Sequence, residues 1–251
     1  MEETRAMKDL QKIAAQLLAL NQQIDRRDMF PTLHPAAADL VLENPYAFCL
    51  ATCLDRGTKA EVIWTIPYWL LQLLGHLDPF VIYGMQEASL ASLIAQLPRK
   101  PRYTSDAPRT IREITTVIVE HFDGDASRIW KDRSAADVKA TFQSVYGVGP
   151  GIANMAVLLI ERTYGIRFSD LDHRYIDIKP DVHTMRVLYR LGVALAQNET
   201  QAINAAKRLN PDYPGEIDAP LWLIGRNWCV PGTPRCEECP LVNVCPQTYG
   251  G

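Results

Sequence analysis

Apolar residues return every three or four positions along most of this chain and almost nowhere every second one. Met7, Leu10, Ile13, Ala14, Leu17 and Leu18 lie at helical spacing. They predict one amphipathic helix, which runs into Asp25-Arg26-Arg27-Asp28 and then a loop bearing Pro31 and Pro35. Asn44 before Pro45 has the form of a cap and a first turn, opening a helix through Phe48, Cys49 and Leu50 that should stop near Asp55-Arg56-Gly57. The same grammar predicts helices over 62–74, 90–97, 111–118, 136–145 and 152–164. A short ribbon within 167–178 is the one stretch with strand character. The fold class is therefore all-α, with turns set by Gly and Pro. On pattern alone, a single bundle and two helical units fit equally well, the second unit pairing the N-terminal helix with the segment after Gly165.

Composition narrows the classes. Of 251 residues 47% are apolar and 22% charged, which excludes disordered and collagenous chains. The apolar runs are too short or too interrupted to span a bilayer, and the chain opens on Glu2 and Glu3 rather than a secretion signal, so a cytoplasmic protein with no membrane partner is expected. Twenty-six Lys and Arg against 29 Asp and Glu give a net charge of -3, which offers no global attraction to a polyanion. Any such attraction must be local. The best basic stretch is Arg99, Lys100, Arg102, Arg109 and Arg112, interleaved with Tyr103 and opposed within it only by Asp106. A solvated loop reads the same way.

Three groups of residues carry candidate chemistry. Cys229, Cys236, Cys239 and Cys245, separated by six, two and five residues, can ligate a metal or an iron-sulfur cluster. A four-cysteine zinc site uses the same ligands but usually as two close pairs, so one close pair with two longer arms suits a cluster better. Cys49 and Cys53, four apart on an apolar helix, are small core residues. Gly147, Gly149 and Gly151 permit a tight turn into a helix N-terminus, whose N–H groups can bind phosphate; an ordinary helical hairpin turn needs the same glycines. Asp181 stands where a helix cap belongs, ahead of Val182-His183 and Arg186-Val187.

The cysteine spacing, with Pro240-Leu241 after the third cysteine, resembles the 4Fe-4S loop of endonuclease III and the adenine-DNA glycosylases. Val145 to Ala153 looks like the helix-hairpin-helix of the DNA glycosylase superfamily, and Asp181 lies in a similar Asp-x-His-x-x-Arg-Val context. Because the three motifs keep the family's order, the chain is identified as an endonuclease III-like member of that superfamily. The resemblance implies two helical domains with a cleft between them. One is a six-helix barrel over 45–165 with the helix-hairpin-helix at about 140–163; the other is a 4Fe-4S cluster domain over 166–251, against which residues 1–44 pack. It further implies a monomer acting on double-stranded DNA in base excision repair, with no small-molecule cofactor beyond the cluster. Asp181 would be the catalytic carboxylate, Cys229, Cys236, Cys239 and Cys245 the cluster ligands, and Gly147, Gly149, Gly151, Arg99, Lys100 and Arg102 DNA contacts. A departing base leaves positive character on the sugar, which an anion stabilises while it orients or deprotonates a nucleophile.

The departures from the family are as informative. Bifunctional endonuclease III enzymes carry a Schiff-base lysine where this chain has Gly151, so a monofunctional glycosylase is expected. Strand cleavage through another amine is an alternative, with Lys179 two residues before Asp181, although a lysine beside a turn is more simply solvated. A non-catalytic DNA-binding or damage-sensing protein on the same scaffold is another. The stretch Cys49 to Leu54 lacks the acid of adenine-DNA glycosylases, and with six residues after Cys245 their C-terminal domain is not expected here, so neither is that assignment. In the loop Asp55-Arg56-Gly57-Thr58-Lys59, the planar guanidinium of Arg56 can fill the gap left by a flipped base, although an arginine in an exposed turn is more simply solvated and Asp55 is an alternative candidate to face the base pocket. The segment 171–180 looks longer than its counterpart and leads directly into Asp181.

Overall fold

The computed structural model describes residues 2–246, with side chains from residue 9 onward, so the side chain of Met7 lies outside the described residues. In chain order the helices are α1 (Glu2–Gln23), α2 (Pro35–Glu43), α3 (Pro45–Leu54), α4 (Ala60–Ile63), α5 (Ile66–Leu74), α6 (Pro79–Tyr83) and α7 (Glu87–Gln96). They continue with α8 (Ala107–Phe122), α9 (Ala135–Gln143), α10 (Pro150–Tyr164), α11 (Val182–Arg190), α12 (Glu199–Leu209) and α13 (Asp218–Asn227). No strand occurs among the described residues. The ribbon expected within 167–178 is instead an irregular segment with one 3-10 turn, His173–Tyr175, capped by the carboxylate of Asp172.

The chain divides into two compact units, one of residues 25–171 and one of residues 1–24 and 172–251. The boundary falls at 25 rather than 45, because α2 is a helix where a loop was expected. Pro35 supplies the preset first turn, His34 Nδ1 accepts the Ala36 N–H, and Ala37, Ala38 and Val41 bury one face within the larger unit. The helix expected over 62–74 is also two. Pro67 has no N–H for the carbonyl four residues back, so α4 ends at Ile63 and α5 starts afresh.

The larger unit is built around α3. Every side chain from Tyr46 to Leu54 is buried, as expected of a helix apolar on all sides. Cys49 and Cys53 are fully buried, and that burial pushes both thiols well above the ordinary range, so they are packing groups rather than nucleophiles. Phe48 packs edge-on against Phe30, Trp130 and Tyr164, and α8 lays Ile111, Ile114 and Ile118 on the core.

The smaller unit has its own core, of Ile13 and Leu17 from α1, Val187 and Leu188 from α11, Leu221 and Ile224 from α13, and the alanines of α12. Ala202, Ala205 and Ala206 let α12 approach its neighbours closely. On α13, a Cβ added at Gly225 would lie 2.8 Å from the His183 backbone oxygen, so a glycine is needed where α11 and α13 meet. Among the described residues no helix is long and apolar enough to cross a membrane.

Candidate nucleic-acid interface and cysteine-lined cavity

In the larger unit, α9, the turn 144–149 and α10 form a helical hairpin. The Asp170 carboxylate accepts the N–H groups of Ala135 and Ala136 at 2.8 and 3.3 Å, fixing the start of α9, and these backbone bonds hold its acid below the usual range. Val145, Val148 and Ile152 are buried and anchor the turn, while Gly147 and Gly151 are exposed and Gly149 is half-buried. Gly147 has φ +83°, the left-handed region that favours glycine. Gly149 is the N-cap of α10 and provides no side chain to close its first turn, so the N–H groups of Gly151 and Ile152 are left without a capping side chain. A Cβ at Gly151 would meet no atom within 4 Å.

Helix α8 clamps the residue before Gly147. Glu113 Oε2 accepts the Tyr146 N–H at 2.6 Å, Thr110 Oγ1 donates to the Tyr146 carbonyl at 3.1 Å, and the Arg109 guanidinium lies 4.0 Å from the Tyr146 ring centre. These partners were missed in the sequence, although Arg109 and Glu113 at i,i+4 spacing carried part of the signal. They also correct the basic patch. Arg109 pairs with Glu113 at 2.8 Å and Arg112 with Glu87 at 3.8 Å, so only Arg99, Lys100 and Arg102 of the five are exposed without an acidic partner among the described residues. Arg102 is placed beside the 55–59 loop, its backbone N–H donating to Thr58 Oγ1 at 2.7 Å, and half-exposed Tyr103 stands next to it.

Arg56 is not the solvated turn residue that the sequence also allowed. Its side chain is 20% exposed and pairs with Asp106 at 3.5 Å, the acid expected to oppose the basic patch. A guanidinium turned into the protein in this way does not project as a free wedge.

In the smaller unit Asp181 caps α11. Its Oδ1 accepts the N–H groups of His183 and Thr184 at 2.8 and 2.9 Å, while Thr184 Oγ1 accepts the Asp181 N–H at 2.9 Å, a reciprocal capping box. The second oxygen, Oδ2, accepts no hydrogen bond among the described residues. The segment before it is well anchored: Ile176 and Ile178 are buried, Lys207 pairs with Asp177 at 3.0 Å, and the Lys179 N–H donates to Asp218 Oδ1 at 2.9 Å.

The C-terminal end of α11 reaches the cysteines. Cys229, Cys236, Cys239 and Cys245 line one small pocket, partly open to solvent, whose apolar wall includes Val187, Leu191, Ile224 and Leu241. None of the six cysteines forms a disulfide. Burial raises the Cys239 thiol, and the nearness of Cys229, Cys245 and Cys236 adds to the shift against one backbone N–H from Leu241. Arg186 donates from Nε to the Cys229 carbonyl at 2.6 Å and from Nη2 to the Gly225 carbonyl at 2.7 Å. Arg190 donates to the Val230 carbonyl at 2.8 Å and approaches Cys229 Sγ at 3.6 Å. Among the described residues no three His, Cys, Asp or Glu side chains are already drawn into a metal shell. Protonated thiols have no attraction that would draw them together, and a bound cation supplies it. Four soft donors on one apolar wall, close enough to perturb one another, fit a metal ion or an iron-sulfur cluster.

No family model matches the chain. Two curated relatives do: an endonuclease III of Thermotoga maritima, 38% identical over 203 residues, covering 80% of this chain and 83% of the relative, and an endonuclease III of Bacillus subtilis, 25% identical over 222 residues and covering 87% of each. Among solved structures, a trapped endonuclease III-DNA covalent intermediate superposes with a TM-score of 0.57 at 18% identity, covering 81% of this chain and 84% of that one. A thermostable thymine-DNA glycosylase superposes with a TM-score of 0.61 at 15% identity and covers 96% of both chains. At such identities the structures establish the fold alone.

Proposed function

The chain belongs to the endonuclease III family of helix-hairpin-helix DNA glycosylases, and on that premise we propose that it excises a damaged or modified base from duplex DNA by hydrolysis, with Asp181 as the catalytic carboxylate. The observation that carries this reading is the division of labour at Asp181. One oxygen is fixed by two backbone N–H groups, and the other is left for chemistry. As the base leaves, that oxygen offsets the positive charge growing on the sugar and orients the water that attacks it. Gly151 supplies no amine, so the sugar is not captured as an imine and the strand is left uncut.

The DNA backbone meets the free amides at the start of α10 and the exposed cations Arg99, Lys100 and Arg102. Binding is then measurably salt-dependent despite the acidic chain. Neutralising Arg99 and Lys100 together is expected to reduce the slope of log K against log salt by about 1.8, roughly 0.9 for each charge. Filter binding or anisotropy across a salt series checks this, and an unchanged slope places both residues away from phosphate.

Cys229, Cys236, Cys239 and Cys245 would hold a 4Fe-4S cluster, which supplies a structural cross-link through its iron-thiolate bonds. Arg186 and Arg190 tie the first of these cysteines to α11, so the helix capped by Asp181 is braced from the cluster side. Cys239→Ser is expected to lose bound iron and visible absorbance and to lower Tm by roughly 10 °C, about 3 kcal/mol. Full iron loading in that variant, or zinc in the wild type, contradicts the cluster assignment.

The decisive experiment is excision against duplexes carrying uracil, mismatched thymine, oxidised pyrimidines, alkylated purines and hypermodified bases. Release of one of these bases without strand scission supports the proposal. Tight binding without release across the whole panel makes the protein a damage sensor instead.

A further inference from the structure

We propose that Arg56 is a positioning residue whose guanidinium, laid on Gly147, locks the hairpin turn to the loop 55–59 and to α8, so that the hairpin amides are presented in one register. The geometry stands by itself; its consequence for DNA rests on the glycosylase reading above.

The observations converge on one point of the larger unit. At Gly147 a Cβ would fall 1.7 Å from Arg56 Nη1, 2.2 Å from Cζ and 2.8 Å from Nη2, so the guanidinium occupies the space that any side chain there would need. The glycine thus meets two demands at once, a left-handed backbone and a bare face for the arginine to cover. Arg56 is itself held in place. Nη2 reaches Asp106 at 3.5 Å and Thr110 Oγ1 at 3.4 Å, and Cζ lies 5.2 and 5.4 Å from the ring centres of Tyr103 and Tyr146. The same Thr110 hydroxyl donates to the Tyr146 carbonyl, and Glu113 accepts the Tyr146 N–H. The peptide entering Gly147 is therefore gripped by α8 while Gly147 itself is covered by Arg56. Arg56 follows directly from central helix α3, its N–H bonded to the Leu54 carbonyl at 2.7 Å.

A planar fork suits this task, because it can lie flat on a glycine while its edge reaches an acid and a hydroxyl; an ammonium cannot do both. The ion pair with Asp106 also means that the Arg56 charge is already spent inside the protein. Its contribution to DNA binding is to hold the turn still, so that ordering the amides costs little on association.

The test compares wild type, Arg56→Gln and Arg56→Lys by salt-dependent binding to a duplex with a non-hydrolysable abasic analogue and by hydrogen exchange of the hydrogen-bonded turn amides of Tyr146 and Val148 in the free protein. Both variants are expected to bind on the order of tenfold more weakly at an unchanged salt slope, with faster exchange in the turn. A slope reduced by about 0.9 in Arg56→Gln overturns the proposal in favour of a direct phosphate contact. Rescue by Arg56→Lys overturns it in favour of charge alone, and unchanged exchange shows that no lock exists. If the wild type binds no duplex, the glycosylase reading fails, and the exchange data in the free protein still decide whether Arg56 holds the turn.

Discussion

Asp181→Asn is expected to reduce base excision by roughly 10²–10⁴-fold while shifting Tm by only about a degree. The two effects separate because, on the proposed function, Asp181 would do two jobs with different requirements. Capping needs an oxygen that accepts the N–H groups of His183 and Thr184, and asparagine has one. Catalysis needs a negative charge facing the sugar, and asparagine has none. Asp181→Ala removes both, so it should lose the same activity and in addition about 1 kcal/mol, near 2–4 °C in a chain of this size. Single-turnover excision with thermal melting of both variants checks the prediction. If asparagine retains excision, the residue is only a cap; if asparagine melts as low as alanine, its activity loss cannot be assigned to charge.

Gly151→Lys is the second large effect, and a gain rather than a loss. The substitution is expected to raise borohydride-trapped adduct on an abasic duplex by roughly 10²-fold or more over wild type, the usual worth of a placed catalytic group. The structure accommodates it: no atom lies within 4 Å of a Cβ at Gly151, the residue is exposed, and φ there is not positive. Lysine is also the better helix former in the first turn of α10. The unpaired N–H groups of that turn disfavour a nearby positive charge and so leave more of the amine neutral for attack. Absence of an adduct would mean that position 151 does not face the sugar, removing the basis for a hydrolytic mechanism drawn from Gly151. A strong adduct in the wild type would show that another amine already serves.

What could be read from the sequence divides along a physical line. Elements stabilised by their own residues were legible. The Asn44-Pro45 start of α3 is one, its Asn44 side chain accepting the N–H groups of Tyr46 and Ala47. The capping role of Asp181 is another, and so is the burial of Cys49 and Cys53, since these depend on neighbours within a few positions. The all-α class followed from the same short-range periodicity. Errors arose where a long-range partner outweighed the local signal. Pro35 suggested a loop, yet at the first position of α2 it helps a helix whose apolar face had somewhere to pack. Pro67 lies within one run of helical periodicity yet divides two helices. Arg109 and Arg112 look like free cations within 99–112 because their acidic partners, Glu113 and Glu87, lie outside that stretch.

The sequence by itself determined that four thiols would come from one short loop, that a glycine-rich turn would open α10, that a carboxylate would stand at the head of α11, and that no amine would be present at position 151. Each is a matter of residue identity and spacing over a few positions. Only the tertiary structure decided that Arg56 covers Gly147, that Asp106 is committed to Arg56, and that α8 grips Tyr146. Those pairs are 91, 50 and 33 positions apart. No local pattern encodes such contacts, because the energy that selects them comes from the whole packed core around α3 rather than from either partner.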